Sequence, residues 1–272
     1  MSRSIRRGTN LVEVLVCVAI IATLAGLLLP ATRRVGEAAD RMKCQNNLKQ
    51  LMLGLHNYES VGRPEYPSTG QPVTSAEGFL PTGCVGPGST PEERLSWMVA
   101  LLPYVEQDAV YRQFDVERGY AENAVAARTP VKVFVCTRGR ETAGEAVTHY
   151  VAMAGLGADA ADRPNGAAGN GFLGYDRRTS LAMLTDGTSN PIALMETRSG
   201  LGPWARGGPS TVRGFDPADV PLHGDGRPFG GHSGGMNVAM ADGSVRFVLA
   251  TVDPRKVAAA ITVAGGEPPG LD

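Results

Sequence analysis

The feature that most constrains this chain is an apolar run from Leu11 to Leu29, interrupted only by Glu13, Thr23 and Gly26. As a helix rising about 1.5 Å per residue it covers roughly 28 Å, the thickness of a bilayer's hydrocarbon. Arg3, Arg6 and Arg7 precede it and favour a cytoplasmic N-terminus, although Arg33 and Arg34 follow. Leu29-Pro30-Ala31 is a poor cleavage site for an ordinary secretory signal, and an acid inside the apolar core is foreign to such a signal. A plain anchor accounts for the length and leaves Glu13 unexplained. An ionisable group within a span needs a partner to offset its desolvation, so Glu13 reads as functional.

Gly8 lies just before the run, with Glu13 five residues beyond it. The basic leader, Gly8, a polar pair, Leu11-Val12-Glu13 and the apolar stretch together resemble the class III signal of type IV prepilins and pseudopilins. That resemblance implies cleavage between Gly8 and Thr9 by a prepilin peptidase, methylation of the new N-terminus, and a mature chain of 272 − 8 = 264 residues. Where the family usually begins with Phe, this chain has Thr9. Pro30 falls where such helices commonly kink. Glu13 would meet the freed amine of a neighbouring subunit and guide assembly.

Beyond Pro30 the helical pattern continues to Ser60. Cys44, Leu48, Leu51, Leu55 and Tyr58 recur at spacings of three and four, a stripe for packing against a domain. Pro- and Gly-rich sequence from Val61 to Pro91 reads as loop, and Leu95 to Phe114 as two short helices meeting at Pro103. Strands are expected over Val131–Cys136, Thr148–Met153 and Ile192–Glu196. Asp242-Gly243 between alternating runs predicts a two-residue hairpin turn. That turn would pair Met240 with Val245, Val238 with Phe247 and Met236 with Leu249, all on one face. Asp253-Pro254 then opens a last helix ending before Gly265-Gly266. The fold class expected is α+β: a pilin-like lollipop whose long N-terminal helix, transmembrane in its first half, packs on an antiparallel β-sheet head with long Gly/Pro-rich loops. The divisions are a leader (1–8), a transmembrane half-helix (9–30), an amphipathic half-helix (31–60) and a globular head (61–272).

Four stretches together resemble one bacterial family of prepilin-like proteins, a domain of unknown function also labelled solute-binding-protein-like. They are Met42-Lys-Cys-Gln-Asn-Asn-Leu-Lys-Gln50, Ser96-Trp97 with Leu102-Pro-Tyr-Val-Glu-Gln107, Thr185-Asp-Gly-Thr-Ser-Asn190, and His232 followed after nine residues by Asp242-Gly243. The resemblance implies a membrane-anchored pseudopilin with an enlarged head.

Little in the head points to chemistry. His232 and Asp242 stand ten residues apart, about 33 Å in an extended strand, so the signature reads as structural: Asp242 makes the turn and His232 fixes the Gly-rich approach to it. His223, Asp225 and His232 match no metal-ligand spacing. Asp186 and Asn190 offer oxygens for calcium, which a capped turn explains as well; no other metal or cofactor is expected. No nucleophile elbow or phosphate-cradling loop is present, so the reading is not an enzyme. With 26 basic and 27 acidic residues, no nucleic-acid partner is expected. Cys17 lies in the apolar run, and at most one bridge forms among Cys44, Cys84 and Cys136. Cys84 with Cys136 is favoured, because Cys44 sits on the helix stripe.

The expectation is therefore a single-pass inner-membrane subunit, N-terminus cytoplasmic and head extracytoplasmic. Its partners would be the prepilin peptidase, membrane lipid, and like subunits or other pilins joined through the N-terminal helix into a pilus or secretion pseudopilus. The alternative is a non-assembling anchored protein whose head binds a solute or polysaccharide.

Overall fold

A computed structural model describes residues 11–61, 78–137, 145–184, 187–224, 227–263 and 271, without the side chains at 25 and 27–35. The chain divides into two compact units, Met1–Arg41 and Met42–Asp272.

Helix α1 (Leu11–Val61) begins in the first unit, where its apolar side chains from Leu11 to Leu24 are exposed, and ends in the second. Among the described residues no helix is long and apolar enough to cross a membrane. The run predicted to span, Leu11 to Leu29, includes side chains outside the description. In the second unit the expected stripe is buried: Cys44, Leu48, Leu51, Leu55 and Tyr58 are all 2% exposed or less.

The rest of the second unit is built around a five-stranded sheet. Chain order gives β1 (Cys84–Val85), β2 (Leu95–Ser96), α2 (Trp97–Leu101), α3 (Asp108–Tyr111), β3 (Tyr150–Leu156), β4 (Ile192–Glu196), β5 (Val212–Phe215), β6 (Gly235–Met240), β7 (Val245–Leu249) and α4 (Pro254–Ile261). The main sheet runs β5-β3-β4-β6-β7, and β1 pairs with β2 separately. Both faces of the main sheet are covered, which is why β3, β4 and β6 read as nearly unbroken apolar runs. Tyr150, Ala152, Leu194 and Ala239 pack with the α1 stripe, Trp97 and Trp204. Val151, Met153, Met195, Val238 and Val248 pack with Val257 and Ile261 of α4.

Several expectations hold in outline and shift in detail. β4 occupies the residues predicted, while β3 lies two residues later than its predicted start. The sheet is mixed, because β5 pairs parallel to β3; β5 is a short strand where none was expected. Val131–Cys136 is no strand. Lys132–Phe134 forms a 3-10 turn, and side-chain and loop partners take its polar groups: Asn47 Nδ2 donates to Val135 O at 3.0 Å, and His149 N to Phe134 O at 2.9 Å.

The hairpin register is one residue off the prediction. Met236 faces Val248, Val238 faces Arg246, and Ala239 faces Val245. The loop has three residues, not two: Met240 N donates to Ser244 O at 2.8 Å, and Gly243 sits at φ +85°. A type I turn closed by a left-handed glycine gives this geometry, and it turns every β7 side chain to the opposite face. Val248 therefore lies on the α4 face, and Val245 packs toward α1. Asp253 caps α4 by accepting from Arg255 N at 2.9 Å.

Buried polar groups organise the loops. The Arg177 guanidinium donates to Ala154 O and Leu173 O at 2.7 Å, to Ala160 O at 3.0 Å and to Asn170 Oδ1 at 3.1 Å. Burial, with Arg163 nearby, pulls its pKa down to about 10, still cationic at neutral pH. Ser96 caps α2, accepting from Met98 N at 3.2 Å, and its hydroxyl donates to Trp204 O. The Ser96-Trp97 pair thereby joins α2 to the loop that carries Trp204.

Candidate functional site

The most unusual chemistry in the second unit lies between α1 and the sheet. Residue alternation puts it there. Met236 and Val238 turn toward α4, so Asn237 between them turns toward α1. Glu196, at the end of β4, stands opposite Tyr150 in the β3–β4 ladder. The Asn47 amide donates to the Tyr150 hydroxyl at 3.3 Å, and Gln45 Nε2 donates to Asn237 Oδ1 at 3.1 Å. Asn237 in turn supplies both its backbone N–H, at 2.7 Å, and its side-chain amide, at 2.9 Å, to the Glu196 carboxylate. Burial, reinforced by this carboxylate, holds the Tyr150 phenol above its usual range.

His232 reaches the same carboxylate from the turn before β6. Its Nε2 lies 3.3 Å from Glu196 Oε1 and 3.6 Å from Cys136 Sγ. Its backbone is fixed on both sides: His232 N donates to Gly235 O at 3.2 Å, and His223 Nε2 lies 2.8 Å from His232 O. Arg198 donates to the carbonyl of Gly231. Gly231 is glycine for a steric reason, since a Cβ there would collide with the Glu196 carboxylate.

Cys44 and Cys136 complete the cluster as a disulfide with Cα atoms 5.3 Å apart, within the ordinary range. This corrects the expected Cys84–Cys136 pairing. Cys84 is a free, fully buried thiol on β1, and burial pushes it up to about 12. The inference failed because a residue on a packing stripe can do two things: Cys44 both fills the stripe and faces residues 131–137. Ligand atoms of Cys44, Cys136, Glu196 and His232 all lie within 4.8 Å of one another, and the four residues are at most 3% exposed.

The structure places the other singled-out residues as follows. Gly8 and Thr9 lie outside the described residues, as do Asp186 and Asp225. Glu13 lies on an exposed part of α1, and Pro30 is within α1 with its side chain undescribed. Asp242 is exposed at the hairpin tip, where its carboxylate accepts from Ser244 N at 2.8 Å. His232 and Asp242 thus serve different places, His232 in the buried cluster and Asp242 in the turn. Sequence reasoning missed Glu196 and the pairing of Cys44, and no spacing motif announces them. Cys44 alone left a trace, in the Met42–Gln50 stretch that delivers Cys44, Gln45 and Asn47 together to the site.

No curated protein and no solved structure matches the chain. A family profile described as "Protein of unknown function (DUF1559)" matches residues 33–216 and 206–255, together running from 33 to 255 of 272. That span holds the α1 stripe, the whole sheet and all four residues of the buried cluster, and it begins after the apolar run. The chain belongs to this family, DUF1559.

Proposed function

We propose that this chain is a membrane-anchored, pilin-like subunit. It is made in the inner membrane with its N-terminus cytoplasmic, cut after Gly8 by a prepilin peptidase and methylated at Thr9. It then assembles through α1 into a pilus or a secretion-type pseudopilus. Residues 9–30 lie in lipid or against neighbouring helices, and residues 61–272 form an extracytoplasmic head that presents loops to partners.

The observation that carries this reading is the surface of α1 near its start. Leu11, Leu15, Val18, Ile21 and Leu24 are 55–76% exposed, and Val12, Val14, Val16 and Ile20, on its other sides, are 51–62% exposed. Covering such side chains stabilises by about 1.5–3 kcal/mol each, so a helix apolar all round needs lipid or protein on every side. Glu13 lies within that surface, and in a bilayer a neighbour's freed amine would offset the cost of holding its carboxylate charged.

Mass spectrometry of the mature N-terminus tests the reading: a chain beginning at Thr9 is expected, and one beginning at Met1 or cut after Ala31 sinks it. A Glu13→Ala chain should be processed yet excluded from filaments. The competing reading, an anchored solute receptor, draws on a cavity of about 660 Å³ lined in part by Leu156, Asn170, Arg177, Met183 and Val263. The Arg177 fork is already committed to carbonyl oxygens there, which weakens it as a ligand contact. Crosslinking in intact membranes separates the two, because only a filament subunit gives homotypic links along residues 9–35.

A further inference from the structure

We propose that Cys44, Cys136, Glu196 and His232 form a site for one divalent d-block cation of the zinc class, available when the Cys44–Cys136 disulfide is reduced. Disulfide and metal are then alternative states of one cluster. The inference uses only residues of the second unit and does not rest on the filament reading.

Geometry carries it. Bonds of about 2.3 Å to sulfur and 2.0–2.2 Å to nitrogen and oxygen give a tetrahedron with edges of roughly 3.4–3.8 Å. The His232–Glu196 edge is 3.3 Å and the Cys136–His232 edge 3.6 Å. Two edges thus stand close to coordination distance. The edge that must change is Cys44–Cys136, where a covalent bond opens to about 3.8 Å between thiolates. His232 Nε2 faces both co-ligands, while its Nδ1 is buried without a hydrogen-bond partner among the described residues.

The donor set selects the cation. Two thiolates and an imidazole disfavour magnesium and calcium, which take oxygen ligands. Four protein ligands, none more than 3% exposed, leave no open coordination position, so the site is structural rather than catalytic. A second shell is in place, since Asn237 holds Glu196 through two hydrogen bonds and Gln45 holds Asn237. Opening the site takes two electrons and two protons: a dithiol supplies both and becomes a disulfide, whereas a phosphine supplies the electrons and becomes its oxide, with water giving the oxygen and both protons. The disulfide becomes two thiols, and the cation then displaces both thiol protons to solvent.

The test uses the full chain in detergent, titrated with cobalt(II) as a spectroscopic stand-in for zinc(II). After phosphine reduction without oxygen, one equivalent should bind, with a thiolate-to-cobalt charge-transfer band and tetrahedral visible bands that zinc(II) abolishes. The oxidised chain should show neither. Cys136→Ser should abolish the band, and His232→Ala and Glu196→Gln should each weaken binding at least about 10-fold. Cys17→Ser with Cys84→Ser should leave it intact. Circular dichroism of each variant under the reducing conditions of the titration establishes that its head is folded. A reduced wild-type chain that takes up no cobalt overturns the proposal. So does loss of the band in the Cys17, Cys84 double variant, or unchanged affinity in folded His232→Ala and Glu196→Gln.

Discussion

At the residue scale, single polar side chains hold the loops and the buried cluster. Arg177→Ala strands several buried carbonyl oxygens and should cost about 3 kcal/mol or more in urea unfolding. Arg177→Lys should recover only part of that, because an ammonium lacks the planar fork. Gly231→Ala drives a Cβ into the Glu196 carboxylate and should cost about 1–3 kcal/mol by the same measurement. Glu59 gives a pH-dependent case. Burial raises its pKa, outweighing the hydrogen bond it accepts from Leu181 N at 2.7 Å. The native state therefore holds this proton more tightly than the unfolded chain does. Its contribution is fully present below the ordinary value of 4.5 and is lost as pH rises through the raised one. Glu59→Gln should accordingly gain stability relative to wild type as pH climbs through that window, which thermal melts across pH will read. None of these residues stood out in the sequence, because a partner 122 positions away, as Leu181 is from Glu59, leaves no local signature.

At the element scale, periodicity was a good guide wherever one face is buried. The α1 stripe from Cys44 to Tyr58 was legible because spacings of three and four survive any tertiary context. Leu51→Ala should therefore cost about 2–5 kcal/mol. Strand β4 was legible for the same kind of reason, being a short apolar run between turn signals. The hairpin shows the limit of such reasoning. Asp242-Gly243 marks a turn, yet the same dipeptide serves a two-residue loop or the end of a three-residue one. The choice moves β7 by one residue and reverses its faces. Gly243→Val should cost about 1–3 kcal/mol, because a β-branched residue resists the positive φ found there. The Val131–Cys136 segment failed as a strand for a complementary reason: its pattern is apolar, but Asn47 and His149 supply partners that a ladder would otherwise provide.

At the scale of the whole molecule, the Cys44–Cys136 bridge joins positions 92 residues apart. Closing a loop of that length restricts the unfolded chain by about 4–5 kcal/mol in the chain-entropy model. Reduction should thus lower the midpoint of chemical unfolding substantially, and zinc added to the reduced chain should restore part of the loss. The exposed apolar start of α1 acts on the same scale. Removing residues 1–41 should raise solubility without detergent, read by sedimentation, since those residues carry the exposed Leu, Val and Ile side chains from Leu11 to Leu24.

The sequence alone determined what depends on neighbours along the chain. It marked the apolar run with its embedded Glu13, the buried stripe of α1, β4, the hairpin turn, and the cap and proline that open α4. Each rests on spacing or on local backbone preference, which a few adjacent residues encode. Only the tertiary structure decided which cysteine pairs with Cys136, which face β7 presents, that β5 joins the sheet in parallel, and that Glu196 and His232 meet the cysteines. The buried cluster draws its groups from positions 36 (Glu196 to His232) to 188 (Cys44 to His232) residues apart, where burial and hydrogen-bond satisfaction select among pairings that the linear chain leaves equivalent.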